Sequence, residues 1–157
     1  MLNLNKTLGG NLIANGGTLS GNGIVIGNLN VTENGTIAPG NSSEVIKVGG
    51  NLNIDGIYNA QVDSTQSSKI QVDGAATLNS STSSLVISSS TGTYAFDKNF
   101  PIIQANRGLI GTFAKVSIEN LAIVPLVTYD DNDVHVKFRK VLSNLVTTPN
   151  QLAITTY

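Results

Sequence analysis

Apolar and polar residues alternate along this chain in very short runs. Between residues 16 and 54 the runs fall at 18–19, 24–26, 29–31, 36–38, 45–48 and 52–54. Each is two to four residues long and most are bounded by glycine, asparagine or serine. Alternation with period two places every second side chain on one face of a strand. Glycine and asparagine tolerate the positive φ that a sharp corner between short strands demands. The run Gly27-Asn28-Leu29-Asn30-Val31 returns as Gly50-Asn51-Leu52-Asn53-Ile54, and Gly10-Asn11-Leu12-Ile13 is a weaker, earlier copy. Their leading glycines lie 17 and then 23 residues apart. That spacing suits one turn of a three-sided parallel β-helix, with three short strands and three corners per coil. A meander of hairpins in a sandwich is the competing arrangement, but two-residue hairpins repeat at shorter intervals. The two best copies are therefore expected to stack in register as parallel strands.

Residues 2–15 read as an incomplete first coil. Beyond residue 54 the pattern continues with less glycine: Tyr58, Ala60 and Val62 alternate, then Ile70 and Val72, then Leu78 and residues 85–87. The serine- and threonine-rich stretches 80–84 and 88–91 read as polar corners of wider coils. The character changes at Gly92. Residues 92–140 hold all four phenylalanines, Phe96, Phe100, Phe113 and Phe138, with Tyr94 and Tyr129. Larger side chains imply a thicker core. Strands are expected at 101–105, at 111–116 and at 121–129, the last interrupted at Pro125. After a turn at Asp130-Asp131-Asn132-Asp133, Val134, Val136 and Phe138 alternate with His135, Lys137 and Arg139. This is a half-buried strand that forms an antiparallel hairpin with residues 126–129. The end of a solenoid exposes strand edges and an open core, so a unit of different composition is expected to cap it. The expected division is β-helix coils over 1–91, a β-rich cap over 92–142 and a tail over 143–157. The folding core of the cap is assigned to Tyr94, Phe113, Leu126, Tyr129, Val136 and Phe138.

Composition narrows the functional classes. Of the 157 residues 40% are apolar and only 12% charged, with a net charge of −1. No broad basic field is offered to nucleic acid or an anionic membrane. With no cysteine, disulfides and thiolate sites are excluded. The start, MLNLNKTLGG, lacks the basic segment and apolar core of a signal peptide. It runs at once into repeat-like sequence, and a longer parent chain is expected.

Candidate chemistry is sparse. The acidic turn at residues 130–133 lacks the glycine and distal glutamate of an EF-hand loop, and reads as a solvated hairpin turn. Asp55, Asp63 and Asp73 would serve a carbohydrate-cleaving reaction only if they converged in a cleft. His135 is the only histidine. It reads as an exposed polar residue, with no second histidine or thiolate to help complete a zinc site. No Gly-x-Ser-x-Gly elbow occurs. Gly9-Gly10, Gly16-Gly17 and Gly49-Gly50 lack the Lys-Ser/Thr and helix of a phosphate loop, and read as turns. Lys137, Arg139 and Lys140 read as a solvated basic face.

Three groups of residues resemble the C-terminal part of a bacterial autotransporter passenger, the junction or autochaperone region before the outer-membrane barrel. The first is Gly17-Thr18-Leu19-Ser20-Gly21-Asn22-Gly23, followed by Asn34-Gly35-Thr36-Ile37-Ala38-Pro39-Gly40-Asn41-Ser42. The second is Gly92-Thr93-Tyr94, then Gly111-Thr112-Phe113-Ala114 with Val116. The third is residues 129–136, followed by Thr148-Pro149-Asn150-Gln151. The resemblance implies an all-β fold: a right-handed three-sided parallel β-helix with a C-terminal antiparallel β-hairpin cap. It also implies a non-enzymatic role without cofactor or metal, helping a surface-exposed passenger fold during secretion across the outer membrane of a Gram-negative bacterium. The implied partners are the chain's own upstream β-helix and a downstream outer-membrane β-barrel, toward which residues 143–157 would lead, with the chain as a monomer. An adhesin segment binding host glycan or protein, motivated by the repeated polar corners, and a carbohydrate-active β-helix enzyme are the alternatives.

Overall fold

The computed structural model describes residues 1–89, 91–120 and 122–140. The tail expected over residues 143–157 lies outside the described residues. Five successive strand triplets make five coils. The first is β1 (Leu2–Asn3), β2 (Thr7–Leu8) and β3 (Leu12–Ala14), so the opening residues already complete a coil. The second is β4 (Thr18–Ser20), β5 (Ile24–Val25) and β6 (Leu29–Val31). The third is β7 (Thr36–Ala38), β8 (Val45–Val48) and β9 (Leu52–Ile54). The fourth is β10 (Ile57–Val62), β11 (Lys69–Val72) and β12 (Ala76–Leu78). The fifth is β13 (Ser84–Ser89), β14 (Phe100–Ala105) and β15 (Leu109–Ile110). Then follow β16 (Lys115–Ile118), β17 (Ile123–Tyr129) and β18 (Asp133–Lys140).

Every third strand stacks on its predecessor. The first sheet runs β1-β4-β7-β10-β13-β16 and the third runs β3-β6-β9-β12-β15. The second runs β2-β5-β8-β11-β14 and is extended by β18 and β17. All pairings within the coils are parallel. The fold is thus a three-sided parallel β-helix ending in an antiparallel hairpin. The repeated run stacks as its spacing requires: Leu29, Asn30 and Val31 lie opposite Leu52, Asn53 and Ile54, and Leu12 lies below Leu29.

Stacking repeats puts like residues in columns through the core. Leu19, Ile37, Tyr58 and Leu85 form one such column and Val25, Val48, Val72 and Ala105 another. All of these are buried. Each coil contributes only a few inward side chains, so a single coil could not stand alone and neighbours supply the missing contacts.

Past Gly92 the architecture departs from the expected strands in three ways. Parallel coils continue through β14, β15 and β16, so the larger aromatic residues are shared between a last coil and the hairpin. The strand expected over residues 111–116 is a corner followed by β16, because Gly111 takes φ +83° and a Cβ there would meet the Leu78 carbonyl oxygen. Pro125 does not interrupt β17. This strand is the outer edge of its sheet, where a missing N–H costs no ladder bond. The serine-rich stretches also enter a strand, since Ser84, Ser88 and Ser89 belong to β13.

Candidate functional site

The most differentiated region is the end closed by the hairpin. Here β18 takes the place on the second sheet that a sixth coil would fill, but runs antiparallel to β14. Phe100 lies opposite Val136, Ile103 opposite Val134 and Gln104 opposite Asp133, with a register shift between Pro101 and Ile103. Period two along β18 sends Val134, Val136 and Phe138 inward, all buried, and leaves Lys137, Arg139 and Lys140 exposed. Phe138 is 1% exposed. Its ring packs edge-on against Tyr94, centroids 5.0 Å apart, and tilted against Phe100 at 5.9 Å. Burial, with Glu119 nearby, pushes the Tyr94 phenol above its ordinary pKa.

The hairpin is fastened at its turn end. Tyr129 accepts a hydrogen bond on its hydroxyl oxygen from the Phe113 N–H at 3.0 Å, which satisfies a corner amide that no strand ladder reaches. Phe113 itself is buried. The Asn132 side chain donates to the Ala105 carbonyl at 2.7 Å, and the Ala105 N–H donates to the Asn132 carbonyl at 2.9 Å. The Leu109 N–H donates to the Asp131 carbonyl at 2.8 Å. The acidic turn therefore docks on the corner that joins β14 to β15.

Of the six residues assigned to the cap core, Tyr94, Phe113, Val136 and Phe138 are buried, and Tyr129 is partly buried against the core. Leu126 departs from the expectation. It lies opposite Lys137 on the outer face, while Val127, opposite Val136, packs inward. Phe100, Ile123, Val134 and Asn132 also hold this end together. Alternation could have found Val134, but no local pattern marks Asn132 as a clasp.

The turn brings three possible metal donors together. Single ligand atoms of Asp130, Asp133 and His135 lie within 4.8 Å of one another. His135 is half-buried, with Nδ1 at 3.8 Å from Asp130 Oδ2 and Nε2 at 4.0 Å from Asp133 Oδ2. The other Asp130 oxygen accepts from the Asn132 and Asp133 N–H groups at 2.9 and 2.6 Å. These bonds hold the Asp130 carboxyl below its usual range. Burial and the charge of Asp130 push Asp133 up. One oxygen of Asp130 is thus committed to shaping the turn. Asp55, Asp63 and Asp73 follow β9, β10 and β11 in turn, and so sit at three different corners. The structure does not bring them together.

No family model matches the chain, and no curated protein matches it.

Proposed function

We propose that this chain is a non-catalytic structural module that caps a parallel β-helix and promotes its folding, within a surface-exposed autotransporter passenger secreted across the outer membrane of a Gram-negative bacterium. One observation carries the reading: the antiparallel hairpin seated on the fifth coil, with Phe138 packed against Tyr94 and Phe100. A solenoid folds by nucleating one stable unit and adding neighbours. Parallel pairing is non-local and slow to begin. The hairpin is local in sequence, and its aromatic contacts reach the last coil, so it supports the role of a nucleus on which coils assemble. The partners in this role are the preceding β-helix of the same polypeptide and an outer-membrane barrel, and the working place is the cell surface.

The test places this region between a β-helical passenger and an outer-membrane barrel, intact or lacking residues 123–140. Surface display and protease resistance of the passenger are the readouts. The intact region is expected to give displayed, resistant passenger, and the shortened one degraded or undisplayed passenger. Equal display of a resistant passenger by both refutes the role.

A further inference from the structure

The end opposite the hairpin carries a pattern that is used only when another coil lies against it. On the third sheet the Gly-Asn pairs form a ladder. Asn11 Oδ1 accepts from the Asn28 N–H and Asn28 Oδ1 from the Asn51 N–H, both at 2.8 Å. Asn51 Oδ1 accepts from the Ala75 N–H at 2.9 Å. Beside this column, Gly27, Gly50 and Gly74 each donate to the glycine carbonyl one coil below at 2.9 Å. A Cβ on Gly27 would run into Asn11 Oδ1, on Gly50 into Asn28 Oδ1 and on Gly74 into Asn51 Oδ1. The corner before the first sheet repeats this logic. A Cβ on Gly35 would strike the Ala14 carbonyl, and one on Gly56 the carbonyls of Thr32 and Gly35.

Gly10 and Gly17 stand at the foot of these two columns. A Cβ built on either meets nothing within 4 Å. Gly10 has a conformational reason to be glycine, its φ of +92°. Gly17 has no positive φ and open space beside it, so nothing inside this coil requires glycine there. Among the described residues, no side chain offers the Asn11 N–H the oxygen that Asn28 and Asn51 receive. The core is open at this end, with Leu2, in register with buried Leu19, 50% exposed. The face ends in three strand edges, β1, β2 and β3, each unpaired on its outer side among the described residues.

We infer that this face docks one further parallel β-helical coil bearing Gly-Asn at the rung position. The asparagine Oδ1 of that coil accepts from the Asn11 N–H, and its corner carbonyl fills the space beside Gly17. The same chemistry disfavours a second copy of this chain. At the other end the column stops at Ala75, whose methyl side chain has no oxygen to offer the next coil, and β18 closes the second sheet. Two opening faces placed together would each present the Asn11 donor, while each Asn11 Oδ1 is already taken by Asn28. The ladder carries this inference whether or not the chain acts in secretion.

The experiment extends the full chain by a second copy of residues 1–17 placed before Met1. The copied asparagine then lies 17 residues before Asn11, the separation of Asn11 from Asn28. Amide hydrogen exchange at Asn11 is expected to slow on the order of 100-fold, since a hydrogen-bonded amide exchanges only through opening. Replacing the copied asparagine with alanine should abolish most of that protection, and unchanged protection at Asn51 reports that the rest of the chain stays folded. Gly17→Ala should leave the Tm of the original chain level or slightly raised, and should lower that of the extended chain. Unchanged exchange at Asn11, or equal tolerance of Gly17→Ala in both chains, overturns the inference. So does concentration-dependent protection of Asn11 in the original chain, which would mean that a second copy takes the face.

Discussion

Phe138→Ala separates a cap that nucleates folding from one that only covers an end. Phe138 is 1% exposed and lies against Tyr94 and Phe100. Truncating a buried phenylalanine to alanine costs about 3–5 kcal/mol. Losing an edge-to-face aromatic partner favours the upper part of that range, so we take about 4 kcal/mol. At about 1.4 kcal/mol per decade this is roughly a thousandfold in the equilibrium between folded and unfolded chain. If the hairpin is formed in the transition state, nearly all of that factor falls on the folding rate. Leu29→Ala provides the counterweight. Leu29 is equally buried, its loss costs about 2–5 kcal/mol, and it lies three coils from the hairpin-bearing coil. Its cost should fall on the unfolding rate.

The assay is stopped-flow refolding and unfolding of the full chain in denaturant, followed by tyrosine fluorescence since the chain has no tryptophan. Phe138→Leu, which keeps most of the apolar volume, should cost only about 1.5 kcal/mol and slow folding in proportion. The opposite partition would refute the reasoning: Phe138→Ala speeding unfolding with folding unchanged, and Leu29→Ala slowing folding. A Phe138→Ala loss below about 1 kcal/mol would refute the packing argument itself.

Other perturbations probe the coils. Gly50→Ala drives a methyl into Asn28 Oδ1 and the Gly27 carbonyl and should cost about 3 kcal/mol. Asn28→Ala, which removes the acceptor of the Asn51 N–H, should cost about 1 kcal/mol. The double variant, measured by denaturant midpoint, should lose less than the sum, because the shortened side chain relieves part of the clash. Tyr58→Phe removes a buried hydroxyl placed 3.0 Å from the Ile102 carbonyl and 3.2 Å from that of Ser68. It should lower stability by about 1–2 kcal/mol with an unchanged m-value. Hydrogen bonds from Ser42, Thr65 and Gln66 hold the Asp63 carboxyl well below the usual range. Its contribution is therefore full above the unfolded carboxyl pKa of about 3.9 and is lost as pH falls below it toward the depressed folded value. Asp63→Asn should flatten this acid limb in a titration of Tm against pH.

The coils were legible because each rung repeats one local requirement. Glycine clears an asparagine oxygen, and apolar residues on either side of Asn30 and Asn53 alternate into the core, so the sequence period and the stacking period coincide. The hairpin end was legible only in part, because its contacts have no period. Pro125 reads locally as a break, and reading it so separates Leu126 from the strand before it. Once β17 is continuous, Leu126 and Tyr129 are three residues apart and cannot share a face. The inward set then becomes Ile123, Pro125, Val127 and Tyr129. The clasps Asn132 to Ala105 and Phe113 to Tyr129 join residues 27 and 16 positions apart through single side chains, which leave no trace in alternation or composition.

The two ends also differ in what they permit, and this bears on the direction of assembly. At the hairpin end β18 is antiparallel, β14 carries a register shift, and the outermost strand β17 contains Pro125. Each feature withdraws the parallel template that the next coil would need on the second sheet. The opposite end keeps three parallel edges and open glycine columns. Growth begun in the middle of such a solenoid would expose two unpaired faces at once, each a site for mispairing. Growth begun at the hairpin starts with the second sheet already closed at one end, and every added coil covers the edge before it. A closed end with an aromatic core is thus where nucleation leaves the least unpaired edge, and the chain's asymmetry favours assembly that runs from the hairpin toward β1.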